Sequence, residues 1–508
     1  MFRSLCDEVL DASCHGIYRT RQTFASAVCL RLLPVPLFPT KPRPIVKAPR
    51  QVIFSTVVAA LGGLLFGFDT AVISGTTEAL QSIFALDEFW LGFAVASALI
   101  GTIVGAFAVG RPVEKFGRKL ILLTLAVLYF ISAVGSALAQ SLVSFVIYRF
   151  IGGLAVGAAS VVSPMYIAEI APARLRGRLV AVNQLNVVSG ILLAFLSNYA
   201  IGRALSEDIA WRWMLGVEAF PAALFFALIF LIPESPRWLV KRGRNEDARA
   251  VLAQVSEGDV QQELQEIVAS LRAEEGEKVH ALFQQRYAFP IFLAFAVAMF
   301  NQLSGINALM YYAPRIFQMA GAGVEDALLQ AVAVGGINLL FTIVALFVID
   351  RFGRRPLLMI GGAGAAASLA LVAFAFYTGS FSGNLVLLGL LGFIASHAIG
   401  QGAVIWVFIS EVFPNRVRAK GQALGSFTHW FMAAAVSWTF PVIAEVSGGH
   451  AFAFFSAMML LQVLFAWKIM PETRGATLEE LGARLESPSA PPGGAGGRKG
   501  TVGEGVTR

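Results

Sequence analysis

Charge is scarce in this chain. Only 14% of the 508 residues are charged, 57% are hydrophobic, and the mean hydropathy is +0.70. No soluble domain of this length could fold that much apolar surface around a single core. Cysteine is scarcer still: Cys6, Cys14 and Cys29 are the only three, and all precede the first long apolar run, so no disulfide framework holds the core together. The sequence also lacks a Walker lysine loop, a zinc-ligand cluster and a nucleophile–base pair at recognisable spacing. These absences disfavour a membrane enzyme and an ATP-driven pump, and neither a cofactor nor a metal is expected.

What the chain does have is apolar runs of roughly 20 residues, each long enough to cross a hydrocarbon core about 30 Å thick as a helix. About twelve are expected, over residues 51–74, 90–110, 119–139, 142–164, 179–202 and 212–232, then 289–319, 327–349, 357–378, 384–413, 420–444 and 449–470. The fold class is therefore an all-α membrane protein.

The formal charge of +7 does not point to nucleic acid, because the basic residues alternate by loop. The first loop, residues 75–89, has no Lys or Arg. The second carries Arg111, Lys115, Arg118 and Lys119, and the fourth carries Arg174, Arg176 and Arg178. The fifth holds only Arg203 and Arg212, the long sixth is basic again, the eighth carries Arg351, Arg354 and Arg355, and the ninth and eleventh have none. By the positive-inside rule both termini and the even-numbered loops face the cytoplasm.

The chain also repeats itself. Glu114-Lys-Phe-Gly-Arg-Lys119 recurs as Asp350-Arg-Phe-Gly-Arg-Arg355, and Glu169-Ile-Ala-Pro-Ala-Arg-Leu-Arg-Gly-Arg178 recurs as Glu411-Val-Phe-Pro-Asn-Arg-Val-Arg-Ala-Lys420. Pro233-Glu-Ser-Pro-Arg237 and Pro471-Glu-Thr-Arg474 close the two halves at nearly the same offset. Two halves of six spans each have the same orientation in the membrane, and parallel repeats with the substrate site between them are a transporter architecture.

These motifs resemble those of the sugar porters of the major facilitator superfamily, over nearly all of residues 50–482. Leu65-Phe-Gly-Phe-Asp-Thr-Ala-Val-Ile-Ser-Gly-Thr76 is similar to the first helix of bacterial xylose/proton symporters. The resemblance implies a bacterial inner-membrane carrier that imports a monosaccharide with a proton by alternating access and works as a monomer. A proton-independent uniporter of the same fold and a non-transporting sugar sensor are the alternatives. The sensor is disfavoured because the tail after Leu481 is short and of low complexity. The implied organisation is an N-terminal arm over residues 1–50, a six-helix half over 51–232, a cytoplasmic linker with short helices over 233–288, a second half over 289–470, and a largely disordered tail over 471–508. The arm reads as disordered or as a misassigned start, with a cleaved signal peptide as a third reading.

Asp69 stands in an otherwise apolar span, where an ionisable group costs about 2.5 to 3.5 kcal/mol and is a functional candidate by default. Arg149 in the fourth span is its expected counter-ion, on a face bared by Gly153 and Gly157. The resemblance assigns this pair to proton coupling, with Glu218 tuning it; a residue near a helix end reaching water is the plainer reading of Glu218. A sugar needs amides for its hydroxyls and aromatics for its ring faces. Asn301, Gln302 and Asn307 flank Gly305, where a broken helix is expected to face the cavity. Gln184 and Asn338 add amides, and Phe66, Tyr312, Trp406 and Trp430 match aromatic positions of the family. Gly402 and His429 fall at family sugar contacts too, though family members commonly have Gln or Asn where His429 stands, Gln at Asn301 and Pro at Ala403. Ile191 replaces a second Gln, and its apolar wall is the reason to expect a hexose. Glu114, Arg118, Glu169, Arg176 and Glu234, with Asp350, Arg354, Glu411 and Arg418, resemble the family's charged cytoplasmic network, expected to latch the outward-facing state.

Overall fold

The structure is a computed structural model and describes residues 49–256, 258–276, 281–381, 384–414 and 416–475, with Leu481 and Leu485. The expected arm, apart from Pro49 and Arg50, and most of the expected tail lie outside the described residues. Twelve helices among the described residues are long and apolar enough to cross a membrane. The first six are Arg50–Gly75, Glu88–Ala108, Arg118–Leu138, Leu142–Ile170, Arg176–Ala204 and Glu207–Ile229. The second six are Gln285–Met319, Val324–Phe352, Arg354–Thr378, Leu385–Glu411, Arg418–Val446 and Gly448–Lys468. Between the halves lie three shorter helices, Pro236–Lys241, Asn245–Val255 and Val260–Gly276. The even-numbered loops gather at one end of the bundle, here the basic end; the odd-numbered loops define the distal end.

Several spans are interrupted within their membrane-spanning length. The seventh breaks at Gly305, whose φ of +82° is open to glycine and strained for other residues. A Cβ there would also strike the ring of Phe455. The sixth breaks at Val217–Glu218, between helices Glu207–Gly216 and Ala219–Ile229. Pro221 explains that break, since it offers no N–H to the carbonyl of Val217 four residues earlier. The tenth widens into a π-helical turn over Ala398–Gly402.

The repeated loops fold alike. Gly117 and Gly353 both take φ +92°, and the next helix starts at Arg118 in one half and Arg354 in the other. The Glu234 carboxylate accepts the backbone N–H groups of Arg118 and Lys119, and Glu472 accepts those of Arg354 and Arg355. A carboxylate at a helix N-terminus satisfies otherwise unpaired donors and meets the positive end of the helix dipole.

The halves meet closely at the distal end. Arg315 of the seventh span donates to Glu88 Oε1 at 2.7 Å and to Gln81 Oε1 at 2.9 Å, and Gln81 Nε2 donates to Glu88 at 2.8 Å. Arg203 and Glu325 form a more exposed pair at 3.4 Å across the same seam.

Candidate functional site

A cavity of about 440 Å³ lies between the halves. Its wall runs from Phe66 and Ile191 at membrane depth to Gly177 and Ile349, close to where the fifth span begins and the eighth ends, so it opens toward the basic end. From the first half, Phe66, Gln184 and Ile191 line it. From the second come Asn301, Gln302, Asn307 and Asn338 with Gly402, Trp406, His429 and Trp430. Residues scattered over six spans thus converge on one space.

The amides are held in a chain. Gln302 donates to Asn301 Oδ1 at 3.0 Å, its own Oε1 accepts from Asn307 at 2.9 Å, and its Nε2 lies 3.2 Å from a ring nitrogen of His429. The break at Gly305 brings Asn307 back toward Gln302 and makes this chain. His429 packs its ring against Trp406 and Trp430, with centroids 4.9 and 4.8 Å away, and Trp430 packs on Phe66 across the seam at 5.6 Å. Donors and acceptors beside aromatic faces suit a small polyhydroxylated ligand.

Tyr312 does not reach the cavity. It is fully buried, donates to the carbonyl of Ser437 at 3.0 Å and packs on Phe440. Tyr311 lines the cavity in its stead, on the helical face of Asn307 four residues earlier. Regular helical spacing from Asn307 sets this phase, and the backbone leaves helical geometry only at Tyr312, with φ −127°. His397 also lines the cavity and was not singled out by sequence. It packs against Phe393, 3.5 Å from the Ser304 hydroxyl.

Behind the wall, Arg149 and Asp69 form a buried pair. Nη1 donates to Oδ1 at 2.5 Å, and Nη2 donates to Oδ2 and to the Asp69 carbonyl, both at 3.3 Å. Gly153 and Gly157 receive the second span, where a Cβ would strike the carbonyls of Ala98 and Thr102, while Arg149 reaches the first span. Glu218 is 2% exposed and lies within electrostatic reach of Asp69 and Arg149, so it does not reach water from a helix end. Pro221 and the break beside it carry the carboxylate inward. Thr70, next to Asp69, and Tyr311 both line the cavity, so these two residues stand between the charges and the open space.

At the basic end the charged set divides by half. Arg118 donates to Glu169 at 2.7 Å, and Arg354 donates to Glu411 at 2.8 Å. Glu114 pairs with Lys241 at 3.3 Å, Asp350 lies 3.6 Å from Arg354, and Arg418 donates to the carbonyl of Phe413. Arg176 is exposed and lines a groove with Glu169. In this conformation the Arg118–Glu169 and Arg354–Glu411 pairs each tie one half to itself and do not bridge the two. Burial pushes the Glu234 carboxyl above its ordinary range despite its backbone donors. Glu472, which does in the second half what Glu234 does in the first, was missed as a site residue; its place in the closing repeat was the available signal.

The family described as "Sugar (and other) transporter" matches residues 55–485. The chain belongs to that family. It is 43% identical over 474 residues to the D-xylose-proton symporter of Escherichia coli (strain K12), an alignment covering 85% of this chain and 96% of that one. It is 38% identical over 452 residues to the glucose transport protein of Synechocystis sp., covering 85% and 97%. Among solved structures, the inward open conformation of the xylose transporter XylE from E. coli superposes with a TM-score of 0.77 at 41% identity, covering 85% of this chain and 99% of that one. These relatives are transporters, and the likeness in fold extends to the whole major facilitator bundle of twelve spans.

Proposed function

We propose that this protein imports a monosaccharide together with a proton, by alternating access, across a bacterial inner membrane with both termini in the cytoplasm. The observation that carries the reading is the buried Asp69–Arg149 pair with Glu218, one residue layer behind a cavity lined by amides and indoles. One guanidinium offsets only one of the two buried carboxylates, so with both ionised the cluster carries a net negative charge that a single proton, taken up at Asp69, removes. Protonation of Asp69 frees Arg149 and alters the first span, whose Phe66 and Thr70 face the sugar cavity.

In this reading the basic end is cytoplasmic, which the loop charges support. The conformation is then inward-facing, with the Arg315–Glu88 pair closing the outer side and the cavity open to the cytoplasm. Gln302, Asn307, Asn338 and Gln184 would pair with sugar hydroxyls, with Trp406 and Trp430 against the ring. Arg118–Glu169 and Arg354–Glu411 would come within reach of the opposite half only when the basic end closes, which is where a latch for the outward-facing state belongs.

The hexose preference expected from Ile191 is not supported, because the relatives divide between a pentose and a hexose, one named for xylose and another for glucose, so the proposed substrate stays a monosaccharide. Uptake of labelled xylose and labelled glucose into proteoliposomes, with and without an inward proton gradient, tests the proposal. Accumulation of either sugar above equilibrium only under the gradient is the expected result. Equilibration at the same final level with and without the gradient would establish a uniporter.

A further inference from the structure

The third span presents three hydroxyls to the protein interior. Tyr129, Ser132 and Ser136 stand at i, i+3 and i+7, hence on one helical face. All three are buried, and no hydroxyl of the three has a hydrogen-bond partner among the described residues. Buried polar atoms are rarely left so, because each unmade hydrogen bond to a buried group is costly. One such atom is unremarkable; three in register on one face call for a reason.

That face looks at the charge cluster. Ser132 Oγ and Asp69 Oδ1 both lie beside Gly152 of the fourth span, where any side chain would displace the hydroxyl. Tyr129 is within electrostatic reach of both Asp69 and Glu218. The third span packs against both pieces of the sixth, on either side of the break that carries Glu218. The charged groups facing Tyr129 are Asp69 from the first span and Glu218 from the sixth, with Arg149 of the fourth span on the other side of Asp69 as its partner. Tyr311 of the seventh span borders the same pair from the cavity side, and Arg212 lies farther out, bonded to the carbonyls of Ala137 and Ala139.

The acceptors in this cluster are unequal. Both carboxylate oxygens of Asp69 already accept from Arg149. Glu218 Oε1 is buried and accepts from nothing among the described residues. The free donor and the free acceptor therefore sit on neighbouring spans beside the same carboxylate, Asp69.

We propose that Tyr129 is a positioning residue for proton exchange, its hydroxyl donating to Glu218 when Asp69 takes up a proton and Arg149 turns from Asp69 to Glu218. The inference rests on the proton-coupled reading and adds a residue to it. In the conformation described, Asp69 is the partner of Arg149. When a proton binds Asp69, the guanidinium needs another anion, and Glu218 is the carboxylate at hand. A buried carboxylate holding one guanidinium still has lone pairs to satisfy, and a phenol supplies a donor without adding a charge. The phenol keeps its own proton throughout; the transported proton moves on and off Asp69.

The sign of the effect follows. Tyr129→Phe removes the donor and destabilises the state in which Asp69 is protonated and Glu218 is ionised. More protons are then needed to reach that state, so the pH profile of gradient-driven sugar uptake moves to the acid side, by about one pH unit or about tenfold in proton concentration. The ring is retained, so the packing of the third span is disturbed little. Counterflow at equal pH on both sides supplies the normalisation for the amount of folded carrier. In a Glu218→Gln background, Tyr129→Phe should add no further displacement, because its acceptor has lost its charge. A parent protein that fails to accumulate sugar overturns the coupled reading itself. A parent that accumulates sugar, with a Tyr129→Phe profile superimposable on it, overturns this inference alone. A displacement of equal size in both backgrounds overturns it as well, since the effect would then not pass through Glu218.

Discussion

Arg315→Gln should shift the carrier toward its outward-facing state, and the structure allows the size of the shift to be estimated. Arg315 is the hub of the distal contact between halves, bonded at once to Glu88 and Gln81. A fully exposed ion pair is worth about 0 to 1 kcal/mol, and a hydrogen bond to a charged group in a shielded place about 1.5 to 3. Here the side chains are 19% and 13% exposed, which puts the contact between those regimes. Glu88 keeps the Gln81 amide after the substitution, so the loss falls near 1.4 kcal/mol, about tenfold in the ratio of outward- to inward-facing carrier. The assay is reaction of single cysteines with a membrane-impermeant thiol reagent, after replacing Cys6, Cys14 and Cys29. A cysteine at Ser74, buried at the distal end beside the seventh span, should react up to about tenfold faster in Arg315→Gln; one at Thr342, in the cavity, should react more slowly. Glu88→Gln should do the same. The exchanged pair Arg315→Glu with Glu88→Arg should recover part of the parent behaviour. Unchanged rates at both positions in both single variants would refute the idea that this contact closes the outer side.

Other expectations follow from the same geometry. Asp69→Asn should abolish accumulation against a gradient while leaving counterflow measurable, because the titrating group is lost and the cavity wall is kept; Arg149→Ala should impair both, since it strands a buried carboxylate. Tyr311→Phe should weaken sugar binding about three- to tenfold in a competition assay, whereas Tyr312→Phe should leave affinity near the parent and lower thermal stability by about 1 kcal/mol, the worth of its bond to Ser437. Arg118→Ala leaves Glu169 largely shielded and unpaired, and should cost about 1 to 3 kcal/mol in detergent melting experiments, with increased labelling of cavity cysteines from the cytoplasmic side.

The twelve spans could be read from sequence because membrane solvent imposes a length and an apolarity on each helix, and both are local properties. The break at Gly305 was legible for the same reason: a glycine among amides at membrane depth has few other uses. Helical phase was less accessible. Tyr311 and Tyr312 are neighbours of the same type, and only the i, i+4 step from Asn307 points to Tyr311 rather than Tyr312 as the one that faces the cavity. The distal contact was out of reach, because Arg315 and Glu88 are 227 residues apart and neither stands in a repeated motif. Glu218 fell between these cases. Its charge inside a span was visible, but its inward turn depends on the break that Pro221 makes four residues after Val217.

The repeat itself shows which parts of the two halves do the same work and which do not. Gly117, Arg118, Glu169 and Glu234 are matched in kind and geometry by Gly353, Arg354, Glu411 and Glu472. These residues shape the loop joints at the basic end of each half in the same way. At membrane depth the symmetry lapses. The first half sets Asp69, Arg149 and Glu218 around one buried point, and the second sets Asn301, Gln302 and Asn307 around another. On the coupled reading the two sites meet where the first and seventh spans touch, and there Thr70 and Tyr311 border the cavity with the Asp69–Arg149 pair directly behind them. A change in charge at Asp69 and the arrival of a sugar therefore act on the same few contacts, which is how occupancy of one site can govern the other.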